Sequence, residues 1–226
     1  MFATSSAVNS SQMFIWLVLI ADDVENTSLA NPAYQQAYRE MTIPSGPGFV
    51  EEHLRRLQAN GIQPLFMLGD VGQLESVERL IRRGLYCGPL TMNWAAIGGG
   101  MDGPNPYNMM EFIRRVPDGA VLTIESIMRS VLPLNAMAIA MGLHVRVGIE
   151  DNLWGRKGER MTSVQQVEQM VRLARELHRE VATGKEAKKI HKIGEHYGTV
   201  DETLAKIGYA PNRQPGERGA PLRRVA

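Results

Sequence analysis

Leu143-His144-Val145-Arg146-Val147-Gly148-Ile149-Glu150-Asp151-Asn152 is the stretch that decides how this chain is read. His144, Arg146 and Gly148 alternate with Val145, Val147 and Ile149, the period-2 pattern of a strand with two distinct faces. Arg146, Glu150 and Asp151 then bring one cation and two carboxylates together at and just beyond the strand's C-terminal end. In parallel α/β sheets and barrels that end carries the chemistry. The same three residues would also serve as a structural ion pair closing a strand, because buried charges must be paired.

Outward from this stretch, strands and helices alternate. Strands are predicted over residues 14–21, 62–69, 89–97, 120–125 and 143–149, and residues 1–6 are read as the edge of a sixth. Helices are predicted over about 48–60, where Val50, His53, Leu54 and Leu57 share a face, and over 70–84, with Leu74, Val77, Leu80 and Ile81 inward. Further helices are predicted over 107–115, 130–141 and 163–183, with a short one around 32–40. Residues from 185 onward are basic and read as helix-poor. Strand–helix alternation at this spacing means a mostly parallel sheet. A TIM barrel needs eight strands and about 250 residues. The expectation is therefore a (β/α) fold that is a short TIM-barrel-like barrel, an open sheet, or a TIM-barrel-like barrel missing its N-terminal beginning, with residues 1–190 as the partial barrel and 191–226 as a partly irregular C-terminal extension.

Composition narrows the function classes. The chain has 226 residues, 44% of them hydrophobic, with 25 basic and 24 acidic residues and a net charge of +1. That balance gives no reason to expect a nucleic-acid or membrane-surface partner. A single cysteine, Cys87, excludes an intramolecular disulfide framework and fits a reducing, cytoplasmic compartment. With no obvious base nearby, it is read as a small buried hydrophobe. The apolar run Phe14-Ile15-Trp16-Leu17-Val18-Leu19-Ile20-Ala21 is too short to cross a bilayer.

Gly98-Gly99-Gly100-Met101-Asp102-Gly103 follows a predicted strand and matches G-x-G-x-x-G, with Glu125 closing the next strand where a ribose hydroxyl could be held. A dinucleotide site would need a helix starting inside the motif, whereas Pro104 and Pro106 interrupt here. The preferred reading is a loop, centred on Gly98, Gly99 and Gly100, that lets backbone approach a ligand, with a plain turn as the alternative. His53, His144, His178, His191 and His196 form no H-x-H. His144 shares a face with Arg146 and is read as a core or supporting residue.

The run from Gly142 to Leu153 resembles the signature of the β-keto acid cleavage enzymes, typified by the 3-keto-5-aminohexanoate cleavage enzyme. Leu132-Pro133-Leu134-Asn135-Ala136-Met137-Ala138, the Gly61-Ile62-Gln63-Pro64 run with Asp70-Val71-Gly72, and the segment 179–187 are similar to other parts of that family. The resemblance implies a zinc-bearing TIM barrel that takes a β-keto acid and acetyl-CoA to acetoacetate and a new CoA thioester. It implies Glu150 as a zinc ligand and Arg146 with Asp151 as the catalytic pair for proton transfer. The family's other zinc ligands come from an H-x-H on an early strand, absent here, and Leu65 and Met67 stand where the family carries acids. A neighbouring subunit would then complete the site, or the chain is a truncated, degenerate member acting as a binding or oligomeric subunit. Exposed strand edges lead to an expectation of self-association.

Overall fold

The structure is a computed structural model that describes residues 3–4, 31–33, 36, 46–98 and 101–217. Its centre is a parallel sheet of β1 (Ala3–Thr4), β2 (Phe66–Leu68), β3 (Thr91–Ala96), β4 (Val121–Ser126) and β5 (His144–Val145), lying side by side in sequence order. Between and after them run α1 (Pro47–Ala59), α2 (Val71–Arg82), α3 (Pro106–Arg115), α4 (Val131–Ala140), α5 (Ser163–Glu176), α6 (Gly184–Ile190) and α7 (Val200–Ile207). A doubly wound sheet reverses its strand order at a switch point, whereas a barrel wall does not. The fold is therefore α/β and TIM-barrel-like. The expected strand over residues 14–21, and most of the expected helix over 32–40, lie outside the described residues.

Local chemistry sets the helix starts. Asp70 accepts from the Gln73 N–H at the head of α2, and Asn105 accepts from the Asn108 N–H ahead of Pro106 in α3. Thr162 and Gln165 cap each other reciprocally at α5. The strands present two rows. Phe66, Leu68, Met92, Trp94, Leu122 and Ile124 pack against the helices, where Phe112, Met109 and Ile81 close the core. Each large apolar side chain so buried contributes roughly 1.5–3 kcal/mol. In the other row, register aligns Met67, Asn93, Thr123 and His144, and then Ala95 with Glu125.

Four expectations are corrected. The strand predicted over 143–149 stops at Val145. Arg146 makes a last ladder bond from its N–H to the Ile124 carbonyl, but its own carbonyl accepts from Asn135 Nδ2, and the Asp151 and Asn152 N–H groups fold back onto the Gly148 carbonyl. The helix predicted over 163–183 ends at Glu176, with His178 at φ +53°, and Thr183 caps a separate helix, α6, through a reciprocal box with Glu186. Residues beyond 185 are not helix-poor: α7 places Leu204 and Ile207 in the main core. Cys87 is half-buried rather than buried.

The C-terminal segment closes the N-terminal ends of the strands. Gln63 donates to Thr91 Oγ1 and to the His191 carbonyl, Lys192 donates to the Gly119 carbonyl, and the Gly119 N–H reaches the Ile207 carbonyl. A Cβ at Gly119 would lie 2.0 Å from the Lys206 carbonyl oxygen and 2.7 Å from Ile207 Cα, both backbone atoms that cannot swing aside. Gly119→Ala therefore has to displace α7, and urea unfolding should show a loss of about 1–3 kcal/mol. An unchanged midpoint would contradict this packing.

Candidate active site

Arg146 leaves the end of β5 beside the end of β4, and three carboxylates meet its guanidinium. Nη1 lies 3.1 Å from Glu125 Oε2, Nε lies 3.1 Å from Asp151 Oδ2, and Nη2 bonds Glu150 Oε2. The environments differ sharply. The side chains of Glu125 and Asp151 are 8% and 7% exposed, whereas that of Glu150 is 83% exposed. Asn93 Nδ2, from β3, donates to the same Glu125 oxygen that meets Arg146.

The backbone holds this cluster from three sides. Asn135 of α4 fixes the Arg146 carbonyl, and the Met128 N–H donates to the Asp151 carbonyl, tying the loop after β4 to the loop after β5. Gln166 of α5 donates to the Asn152 carbonyl, while Asn152 clasps the Trp154 backbone through both its amide groups. Met128 itself sits at φ +54°, an uncommon conformation for a side-chain-bearing residue. Two buried polar atoms on β3 and β4, Asn93 Oδ1 and Ser126 Oγ, have no hydrogen-bond partner.

Burial pushes the Glu125 carboxyl up to about 7. The Arg146 charge pulls it back, Asp151 and Glu150 push it further, and the Asn93 bond opposes them. Burial likewise raises Asp151 to about 6, against the attraction of Arg146. Two acids whose protons are held near neutrality, beside a fixed cation, are equipped to give and take protons.

Gly98 and Asp102 sit at the ends of β3 and β2. The Asp102 N–H donates to the Gly69 carbonyl, Asp102 Oδ2 accepts from Trp94 Nε1, and the Gly98 N–H donates to the Asp102 carbonyl with Gly98 at φ +74°. Gly99 and Gly100 lie outside the described residues. Burial raises the Asp102 carboxyl, while its Trp94 bond lowers it. Helix α3 begins at Pro106, beyond the glycine motif, and Glu125 is engaged by Arg146 and Asn93 rather than standing open for a ribose.

The structure groups Arg146, Glu150 and Asp151, the three residues named from the sequence. The sequence points to Glu125 only as a ribose partner and does not single out Asn93. A lone Glu in the otherwise apolar run Val121-Leu122-Thr123-Ile124-Glu125 was the available signal. His144 is not part of the cluster. Its ring lies 5.1 Å from that of His191, tilted by 40°, at the closed end of the sheet, and burial lowers the values of both rings. Of the residues implied for zinc, Glu150 has one oxygen engaged by Arg146, and among the described residues no three His, Cys, Asp or Glu side chains are grouped to hold a metal.

Comparison with known proteins follows the same line. A family model described as beta-keto acid cleavage enzyme matches residues 5–193. The chain is 35% identical over 133 residues to the 3-keto-5-aminohexanoate cleavage enzyme of Acetoanaerobium sticklandii, covering 58% of this chain and 48% of the relative. It is 34% identical over 131 residues to the enzyme of the same name from Fusobacterium nucleatum subsp. nucleatum, covering 58% and 47%. It is 28% identical over 155 residues to the 3-dehydrocarnitine:acetyl-CoA trimethylamine transferase of Rhizobium meliloti, covering 68% and 51%. The chain thus spans about half the length of the curated relatives it matches.

Glu125 and Asp151 hold protons in the folded chain that an unfolded chain gives up above its ordinary carboxyl values of 4.5 and 3.8. Stability from these groups is therefore greatest at low pH and is lost as pH rises through about 6 and about 7. The lowered values of His144 and His191 act oppositely, so the difference between wild type and Glu125→Gln isolates the glutamate. Denaturant titrations from about pH 4.5 to 7.5 should show wild type losing roughly 1–3 kcal/mol more than Glu125→Gln. Parallel profiles would contradict a proton held at Glu125.

Proposed function

Because the chain belongs to the β-keto acid cleavage enzyme family, we propose that its Arg146 cluster serves the acetyl-CoA-dependent cleavage of a β-keto acid, yielding acetoacetate and a new acyl-CoA. The observation that carries this reading is the contact of one guanidinium with two buried, proton-holding acids at the C-terminal ends of parallel strands. A β-keto acid loses a proton from the methylene between its keto and carboxylate carbons to become a carbon nucleophile. Asp151 is the residue proposed to take that proton, with Arg146 fixing its carboxylate and Glu125 holding Arg146 in place. The Gly98 turn at the strand ends is proposed as the backbone against which substrate or CoA lies. The substrate names printed for the relatives, 3-keto-5-aminohexanoate and 3-dehydrocarnitine, fit this class.

Zinc dependence belongs to the same proposal by resemblance. It would need donors from outside the described residues or from a second copy, with Glu150 released from Arg146. No proton transfer above is assigned to the metal. Elemental analysis of purified, folded chain tests it: about one zinc per chain supports the resemblance, and none opposes it. The working unit is proposed to be a homo-oligomer. Among the described residues β5 pairs with β4 alone, and beside β5 lies an apolar cavity of about 570 Å³ lined by Val145, Val147, Met170 and Ala174. A cytoplasmic setting rests on the single cysteine, and no described helix is long and apolar enough to cross a membrane.

A second reading, a family member that binds without turnover, is favoured by Leu65 and Met67 on the β2 segment and by the lack of a converging metal-donor set among the described residues. Incubation with a panel of β-keto acids and acetyl-CoA separates the two. The proposal expects acyl-CoA formation, reduced about 10²–10⁴-fold in Asp151→Asn. Binding of the keto acids without product would establish the second reading instead.

A further inference from the structure

Just past the Arg146 cluster the chain folds back on itself over residues 153–161. Trp154 and Arg160 form an antiparallel bridge, the Gly155 N–H donates to the Glu159 carbonyl, and Gly158 turns the tip at φ +81°. Asn152, next to buried Asp151, anchors this hairpin by clasping the Trp154 backbone. The Trp154 ring gathers cations from two segments: Arg160 Cζ lies 5.2 Å from its centroid, and Arg129 Cζ, from the turn after β4, lies 6.0 Å away. Arg156 and Lys157 stand exposed at the tip. Glu159 is the acid of residues 153–161, and its carboxylate accepts from the Arg156 backbone N–H. On α1 to α3, Glu52, Glu75, Glu78 and Glu111 each hold an arginine. Among the described residues Arg129, Arg156, Lys157 and Arg160 form no ion pair.

Four cations on and beside one hairpin, with no carboxylate paired to them, repel one another, and a multiply charged anion relieves that repulsion. We propose that this hairpin, together with Arg129, binds the phosphate groups of CoA. The assignment rests on the proposed reaction, which consumes acetyl-CoA, and adds where the nucleotide end of that co-substrate is held. Planar guanidinium groups match phosphate oxygens through paired N–H bonds, and a lysine adds a point charge. Trp154 limits the freedom of two of these guanidinium groups, so less order has to be imposed when the anion arrives. The placement also suits the chemistry. The hairpin begins two residues after Asp151, and Arg129 follows Met128, whose N–H donates to the Asp151 carbonyl. Phosphates held here leave the long, flexible arm of CoA within reach of the Arg146 cluster. The Gly98 turn, at the end of β3, remains for the keto acid or the thioester end.

Isothermal titration of the full chain with CoA tests this. The double variant Arg129→Gln/Arg160→Gln should bind CoA at least about tenfold more weakly than wild type. Arg156→Gln/Lys157→Gln, confined to the exposed tip, should weaken it about threefold or more, so the test survives if the first variant fails to fold. Pantetheine, which carries no phosphate, should bind wild type and both variants alike. Rising salt should weaken CoA binding by wild type more than by the first double variant. Unchanged CoA affinity in the folded variants overturns the proposal, as does an equal loss with pantetheine. ATP bound as tightly as CoA, and lost in the same variants, marks a general polyphosphate patch and overturns it too. The cleavage reaction is judged separately. Arginine-dependent CoA binding without product defeats the reaction and leaves this assignment standing. Acyl-CoA formation with the KM for acetyl-CoA unmoved in the double variants does the reverse.

Discussion

A single guanidinium, placed where two parallel strands end, is the constraint on which this structure turns. Arg146 cannot shed its charge, and its stem emerges beside the buried end of β4. Taking that charge out of water requires compensating groups, and the chain supplies Glu125 and Asp151 from two segments that are distant in sequence. Once these are in place the surrounding loops have little freedom. Asn135 fixes the Arg146 carbonyl, Met128 adopts a left-handed backbone to reach Asp151, and Gln166 secures the following asparagine.

The two ends of the sheet are consequently built for different tasks. At the N-terminal ends, Gln63, Lys192, Gly119 and the paired rings of His144 and His191 bond α6, α7 and their connection against the strands. At the C-terminal ends, charge is concentrated, polar atoms of Asn93 and Ser126 stay without partners, and Asp102 bonds Gly69, Trp94 and Gly98. Leaving polar groups unpaired costs free energy that a core designed only for stability would avoid. Their gathering beside Arg146 supports reading this end as the working one. Asn93 and Glu125 add acid and amide donors from β3 and β4, the strands next to the family signature on β5, in a chain whose β2 segment carries Leu65 and Met67 instead of acids.

Much of this was legible in the residues. Apolar patterning located α1, α2 and the strands β2 to β4, and an apolar, Ala- and Met-rich run closed by Gly142 located α4. The signature around Arg146 carried the family. The failures have physical causes. The β5 strand is short because Asn135 takes a carbonyl that a ladder would need, a tertiary event with no local signal. The break at Leu177 and His178 lies inside a helix-favouring composition, although Thr183 and Glu186 spelled a capping box that could have revealed the second start. Helix α7 was masked by basic, glycine-containing flanks, while its Leu204 and Ile207 spacing was there to be read. Glu125 escaped because its partner is an arginine just past the end of β5, a pairing that register decides and spacing does not.

The account depends on Arg146 being held by its buried partners and only lightly touched by its exposed one. A double-mutant cycle on folding stability measures this directly, using Arg146→Gln combined in turn with Glu125→Gln and Glu150→Gln. The structure predicts a coupling of about 1–3 kcal/mol between Arg146 and Glu125, and no more than about 0.5 kcal/mol between Arg146 and Glu150. Coupling that is absent at Glu125, or larger at Glu150, would contradict it.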